Sequence, residues 1–411
     1  MQSRPNFART VLSEGDRVPS RSFFLGGIAF ALAGWVSLAA QAKPTPPTLA
    51  ELETRARQDS NDAGALYELG LRYWLVDRFT DAEREFRQAT SVDPHFAPAV
   101  FALGSLPYAQ HPKLDAQERK GKVPRDLQPV VDEAIRLQHR AFILDPFVDF
   151  RIYGAKAPDE GTFVIADYGR YTTDFLAWLG VEAYDYEYYQ LSYSAFQHFV
   201  ERAYPGQPID SVPSGVLFYR GLAGAHLAMW REAITDFQTL LARSQKEEQK
   251  DSLIRFPLNT NDYRYTLAIL EMRASRPADA MNLLKETLAN DLGLFMAHAR
   301  LADLYEQYQM WSDAVTERRR AVEANPEDAT LQRDLGVTLA HAGRAAEAEA
   351  VLHQAMEANP RDPGAPYVLG TVEQQLNKPA DARAALTRFL ALAPSKDTRI
   401  ADAKDRLAKL P

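Results

Sequence analysis

Residues 329–360 read ATLQRDLGVTLAHAGRAAEAEAVLHQAMEANP, and residues 363–394, one period on, read PGAPYVLGTVEQQLNKPADARAALTRFLALAP. Aligned with a 34-residue offset, the two stretches share their small residues, their large apolar residues and their final proline. Ala280, Ala314, Ala348 and Ala382 form one ladder at this spacing, and Leu267, Leu301, Leu335 and Leu369 form a second. Pro326, Pro360 and Pro394 make a third, Gly336 and Gly370 a fourth, and Ala321 and Ala355 recur in phase. Self-similarity at a fixed period of this length marks a stacked repeat architecture and outranks any local reading of the chain.

The same pattern opens the N-terminal part, in Leu66, Leu69, Gly70, Tyr73, Ala82, Phe86, Ala89 and Pro94. It expresses two antiparallel helices per unit. Small residues stand where backbones approach, large ones fill the space between, and proline ends one unit because it cannot continue a helix. A single hairpin cannot bury its apolar stripe, so units must stack. These residues resemble the tetratricopeptide repeat family, whose pattern is W-x2-L-G-x2-Y followed by A-x3-F, A and P. The resemblance covers roughly residues 63–411 with gaps. It implies an all-α solenoid of about eight stacked helix pairs, with inserts in the middle.

The organisation expected from these ladders runs as follows. Residues 1–42 are a signal peptide or an uncleaved anchor, and 43–62 a linker with a capping helix. Residues 63–148 hold two repeats, the second with a loop insert at about 111–128. Residues 149–213 combine a non-repeat segment with a degenerate Tyr-rich repeat, and 214–260 a repeat with a charged insert at Gln245–Asp251. Four consecutive repeats fill 261–396, and a capping helix fills 397–411.

The export expectation rests on Phe23–Ala42, FFLGGIAFALAGWVSLAAQA, which is uncharged, follows Arg17 and Arg21, and ends in the small-x-small pattern Ala40-Gln41-Ala42. Its length would also span a bilayer. The long segment before it suggests that translation starts at Val18. A periplasmic protein is expected, or alternatively one anchored in the inner membrane and facing the periplasm.

Composition narrows the chemistry. The 411 residues include no cysteine, which removes disulfides, thiolate nucleophiles, Cys-ligated metals and a lipobox. A net charge of −8 lacks the footprint of a nucleic-acid binder. No two of His95, His111, His139, His198, His226, His298, His341 and His353 lie three or four residues apart, and HExxH, G-x-S-x-G, Walker and G-x-G-x-x-G motifs are missing. No enzymatic activity, cofactor or metal is expected.

The family resemblance implies that the first helix of each repeat lines a concave groove. On that template the early repeats present Tyr67, Trp74, Phe101, Tyr108, Trp178, Tyr184, Phe218, Tyr219 and Tyr265, and the late ones Arg300, Asp303, Glu306, Arg333, Asp334 and His341. An aromatic half thus gives way to a polar half. Aromatic and Arg residues are the usual interface anchors. The aromatic half is either open to a ligand or occupied by the segment Phe147–Tyr171. The family's clamp for chaperone C-termini, a Lys with an Asn, occurs in no repeat. In the run YDYEYYQLSY at 184–193 the interleaved acids disfavour nucleic acid, leaving core packing or a binding surface. The expected function is a non-enzymatic scaffold of the cell envelope that holds an extended peptide or partner subunit, in envelope assembly or secretion. The alternative is a glycan- or peptidoglycan-associated protein using the Tyr-rich run. The expected partner is another protein, with membrane contact only through the N-terminal segment.

Overall fold

The computed structural model describes residues 47–111, 113–119, 121–148, 172–249 and 258–411. The export segment and most of Phe147–Tyr171 lie outside them. Among the described residues the secondary structure is helical: α1 (Leu49–Gln58), α2 (Ala63–Leu75), α3 (Phe79–Val92), α4 (Ala97–Gln110), α5 (Leu114–Arg119), α6 (Gln128–Leu144), α7 (Thr173–Asp185), α8 (Tyr189–Ala203), α9 (Ser214–His226) and α10 (Trp230–Gln249). Then come α11 (Thr260–Arg273), α12 (Pro277–Asn290), α13 (Phe295–Gln307), α14 (Trp311–Ala324), α15 (Ala329–His341), α16 (Ala345–Ala358), α17 (Gly364–Gln375), α18 (Pro379–Leu392) and α19 (Ile400–Lys409). No described helix is long and apolar enough to cross a membrane.

Helices pack pairwise as α2/α3, α4/α6, α7/α8, α9/α10, α11/α12, α13/α14, α15/α16 and α17/α18, with α1 and α19 flanking the array. The glycine ladder explains the tight pairing. A Cβ on Gly70 would stand 2.5 Å from the Phe86 ring, and one on Gly336 would stand 2.6 Å from Leu352 Cγ. In both cases the side chain sixteen residues later fills the space that the glycine leaves. Phe86, Leu352 and Leu386 are fully buried as a result.

The turn inside each hairpin has its own device. Ser275, Gln309 and Asn377 take positive φ of 57°, 57° and 58°, and Gly343, in the same register, takes 74°. The left-handed residue lets the first helix end and the second start within three residues. Between hairpins, Asp62 and Asp328 cap α2 and α15 by accepting from Ala65 N and Thr330 N. Thr48 and Glu51 form a full capping box at α1.

Two inserts differ from their sequence reading. The 111–128 stretch contains the short α5, whose Leu114 is completely buried. The charged stretch from Gln245 prolongs α10 as helix through Gln249.

The array is not straight. The repeat junctions of the N-terminal arm (α1–α6) turn back and meet the junctions of the C-terminal arm in antiparallel order. Asn61 meets Leu392, His95 meets Asp328, and Leu144 meets Arg300.

Candidate functional site

The fold-back creates a cleft between the two arms. At its outer end, Arg361 Nη2 donates to Ser60 O at 2.6 Å and to Asn61 Oδ1 at 3.1 Å, and Nη1 donates to Ser91 Oγ at 3.1 Å. Asn61 Nδ2 donates to Leu392 O at 2.8 Å, the Ser395 amide donates to Asp59 Oδ2 at 2.9 Å, and Lys396 pairs with Asp62. At the inner end the free carbonyls of the α6 C-terminus are capped from the other arm. Tyr265 Oη donates to Ile143 O at 2.8 Å and Arg300 Nη2 to Leu144 O at 3.4 Å. Arg273 donates to Asp145 at 2.9 Å and lies over the Phe147 ring at 4.7 Å.

Midway, His95 Nε2 stands 2.9 Å from Asp328 Oδ2, and Arg140 lies 3.7 Å from the same atom. Burial would push the Asp328 carboxyl up, but the bond to His95 and the His95 and Arg140 charges hold it below the usual range. Asp62 behaves alike: burial raises it, Lys396 and the Ala65 amide lower it, and the net shift is downward.

Between these ties lies a cavity of about 520 Å³, within the size of ordinary ligand pockets. One wall is Asn61, Asp62, His95 and Phe96; the other is Arg300, Asp303, Arg318, Arg333, Asp334 and Asp362. The guanidinium groups are locked in place. Arg318 Nη2 donates to Asp303 Oδ1 at 2.6 Å and to Glu306 Oε1 at 2.9 Å, and Arg333 reaches Asp334 at 2.9 Å and Asp362 at 3.2 Å. Burial alone would make these cations easier to deprotonate. The facing carboxylates outweigh it, so Arg318 and Arg333 are held more firmly charged than in water. The wall is a fixed alternation of donors and acceptors, suited to a polar, extended ligand.

Of the residues singled out in the sequence, Arg300 and Arg333 come together here, with Asp303 and Asp334. The aromatic ones do not. Trp74 is 5% exposed against Phe79 and Phe86, and Tyr265 is 1% exposed under Ile143. Tyr67 packs on Phe86 and edge-on to Phe96. Tyr108 Oη donates to Glu118 of α5, so the insert lies against that groove position. Phe101 is half-buried on the central core. Phe218 and Tyr219 are buried, and Tyr219 meets Tyr184 edge-on at 5.5 Å. Tyr189 stacks on His226 at 4.1 Å, so these members of the Tyr-rich run serve packing. Phe147 is buried against Phe237, placing the start of the Phe147–Tyr171 segment inside the chain. Trp178 alone of these aromatics is exposed, at 38% of its surface.

The cross-arm residues Asn61, Asp62, His95 and Arg361 escape sequence reading. A partial signal exists: Asp328 and Asp362 stand two residues after the junction prolines, and Lys396 takes the equivalent place one period later.

Profiles of the tetratricopeptide repeat match residues 301–363 and 339–407. Among curated proteins none matches the chain. Among solved structures, MamA MSR-1 is 19% identical with a TM-score of 0.34, covering 44% of this chain and 95% of its own. Another structure of MamA is 17% identical at a TM-score of 0.38, covering 48% and 98%. The C-terminal part of a TPR repeat-containing protein from Cytophaga hutchinsonii is 10% identical at 0.42, covering 54% and 79%. The sequence ladders, the paired helices and the matching profiles agree: the chain carries tetratricopeptide repeats, matched over residues 301–407.

Proposed function

We propose that the chain is a non-enzymatic scaffold which holds an extended segment of a partner protein in the cleft between its arms. The observation that carries this reading is the cavity of about 520 Å³ whose walls present ion-paired guanidinium and carboxylate groups in fixed positions. An extended peptide offers unpaired main-chain N–H and C=O groups at regular intervals, and such walls can satisfy both without rearranging. Arg300 and Arg333, each 35% or less exposed at the side chain, are the anchors. In this reading Phe23–Ala42 exports the chain, and the partner is a component of the cell envelope.

The test is selection of ligands from a displayed peptide library against the purified chain, followed by cross-linking mass spectrometry. Selected peptides should cross-link to residues of the cleft walls and lose affinity in the Arg300→Gln/Arg333→Gln variant, with helicity unchanged. Equal affinity for that variant, with cross-links elsewhere, sinks the cleft reading. Export has its own test: a phosphatase fusion after Ala42 is active only outside the cytoplasm, and an inactive fusion rejects it.

A further inference from the structure

Away from the cleft, α16 and α17 share an unusual contact. Glu349 and His353 lie one turn apart on α16, and Glu373 faces them from α17. Glu373 is only 2% exposed, yet its Oε2 has no hydrogen-bond partner among the described residues. A carboxylate taken out of water without a partner is costly. On the other oxygen of the same carboxylate, His353 Nε2 stands 3.9 Å from Glu373 Oε1. Lys378 does not serve it, because its Nζ is bound to both Glu349 oxygens at 2.6 and 2.8 Å. One donor atom from each of Glu349, His353 and Glu373 lies within 4.8 Å of the other two.

We propose that Glu349, His353 and Glu373 form a binding site for a divalent transition-metal ion of the zinc class, which ties α16 to α17. Two carboxylates with an imidazole suit such an ion better than magnesium or calcium, which prefer oxygen alone. Donors around tetrahedral zinc, bound at about 2.1 Å, stand about 3.4 Å apart. The present triangle must therefore contract by up to about 1.4 Å around the ion. Glu373 is the fixed corner, since burial holds it. His353, 55% exposed at its side chain, rotates inward, and Glu349 exchanges Lys378 for the metal. The ion's two charges neutralise both carboxylates, and water completes the coordination on the solvent side. The site is independent of the cleft and of whatever binds there.

The experiment uses the full chain, stripped of metal by a chelator and titrated with Zn2+ against a chromophoric competitor. One equivalent should bind. Glu373→Gln and His353→Ala should each weaken binding by at least about 100-fold, since loss of an outer-shell partner alone costs about 10–100-fold. Lys378→Met should tighten binding, because it removes the competitor for Glu349. Co2+ should give visible d–d absorption in the wild type and none in His353→Ala. The glutamine is isosteric and neutral, so that variant should keep its melting profile; if it does not fold, the exposed His353 variant decides alone. The proposal is overturned if the wild type binds no Zn2+ at micromolar concentration, or if His353→Ala binds it as tightly as the wild type.

Discussion

Arg361 is the keystone of the closed arms, and Arg361→Ala should let them part. Its guanidinium makes four hydrogen bonds across the gap, to Ser60 O, Ser91 Oγ and, twice, Asn61 Oδ1. A hydrogen bond from a charged donor contributes about 1.5–3 kcal/mol when buried. Arg361 is only half-buried and its bonds converge on three groups, so solvent screening reduces the total to about 2 kcal/mol. That corresponds to roughly a 30-fold change in the ratio of closed to open arms. Two of the other ties at this outer end, Ser395 to Asp59 and Lys396 to Asp62, are more exposed. A second variant, Arg361→Ala with Asp59→Ala, should therefore open the arms further. The chain has no cysteine, so spin labels can be placed at exposed Gln88 and Glu357 without background. Pulsed dipolar spectroscopy should show one short, narrow distance in the wild type and an added longer, broad population in the variants. An unchanged distribution in both variants, or a broad one in the wild type, would refute the reasoning.

Three further outcomes follow from the packing. Phe86→Ala should lower unfolding stability by about 3–5 kcal/mol, read as a lower denaturant midpoint at unchanged slope, because the fully buried ring fills the space beside Gly70. Gln309→Gly should raise stability by about 0.5–1 kcal/mol in the same measurement, since φ is 57° there and only glycine adopts it without cost. Burial, reinforced by the Arg273 charge and opposed by Asp145, lowers the His226 pKa to about 4. The unfolded chain then binds the extra proton first. His226 contributes full stability above about pH 6.5 and loses it as the pH falls toward 4, by about 2–3 kcal/mol. Denaturation midpoints of His226→Gln across that range should lose this part of the slope; an unchanged slope contradicts the assignment.

The hairpins were legible because their determinants are local and periodic. Gly70 and Phe86, or Gly336 and Leu352, are sixteen residues apart and recur at the same register. The capping aspartates and junction prolines are equally local. The fold-back was not legible. Its ties join residues such as Asn61 and Leu392, 331 positions apart, through polar side chains and main-chain carbonyls that leave no hydrophobic pattern. Two of the aromatic groove positions, Tyr265 and Tyr108, are covered by groups outside their own helix pair or outside the repeat pattern. A template places Tyr265 on the concave side, but only the distant Ile143 carbonyl decides that its ring is covered. Tyr108 is met by α5, an insert that the repeat pattern does not contain.

An open solenoid gains stability from neighbour to neighbour, so its end repeats fray and refold on their own. Joining the ends removes that independence. Closing a flexible loop of some 331 residues would cost about 5 kcal/mol in chain entropy, more than the Arg361 contacts return. The arms can therefore meet only after the intervening hairpins have become rigid. Closure becomes the last step of folding and its loss the first step of unfolding, and fraying at either terminus is felt at the other. Repeats near Asn61 and Leu392 should exchange their amide hydrogens as one cooperative unit, although nothing in the order of the chain joins them.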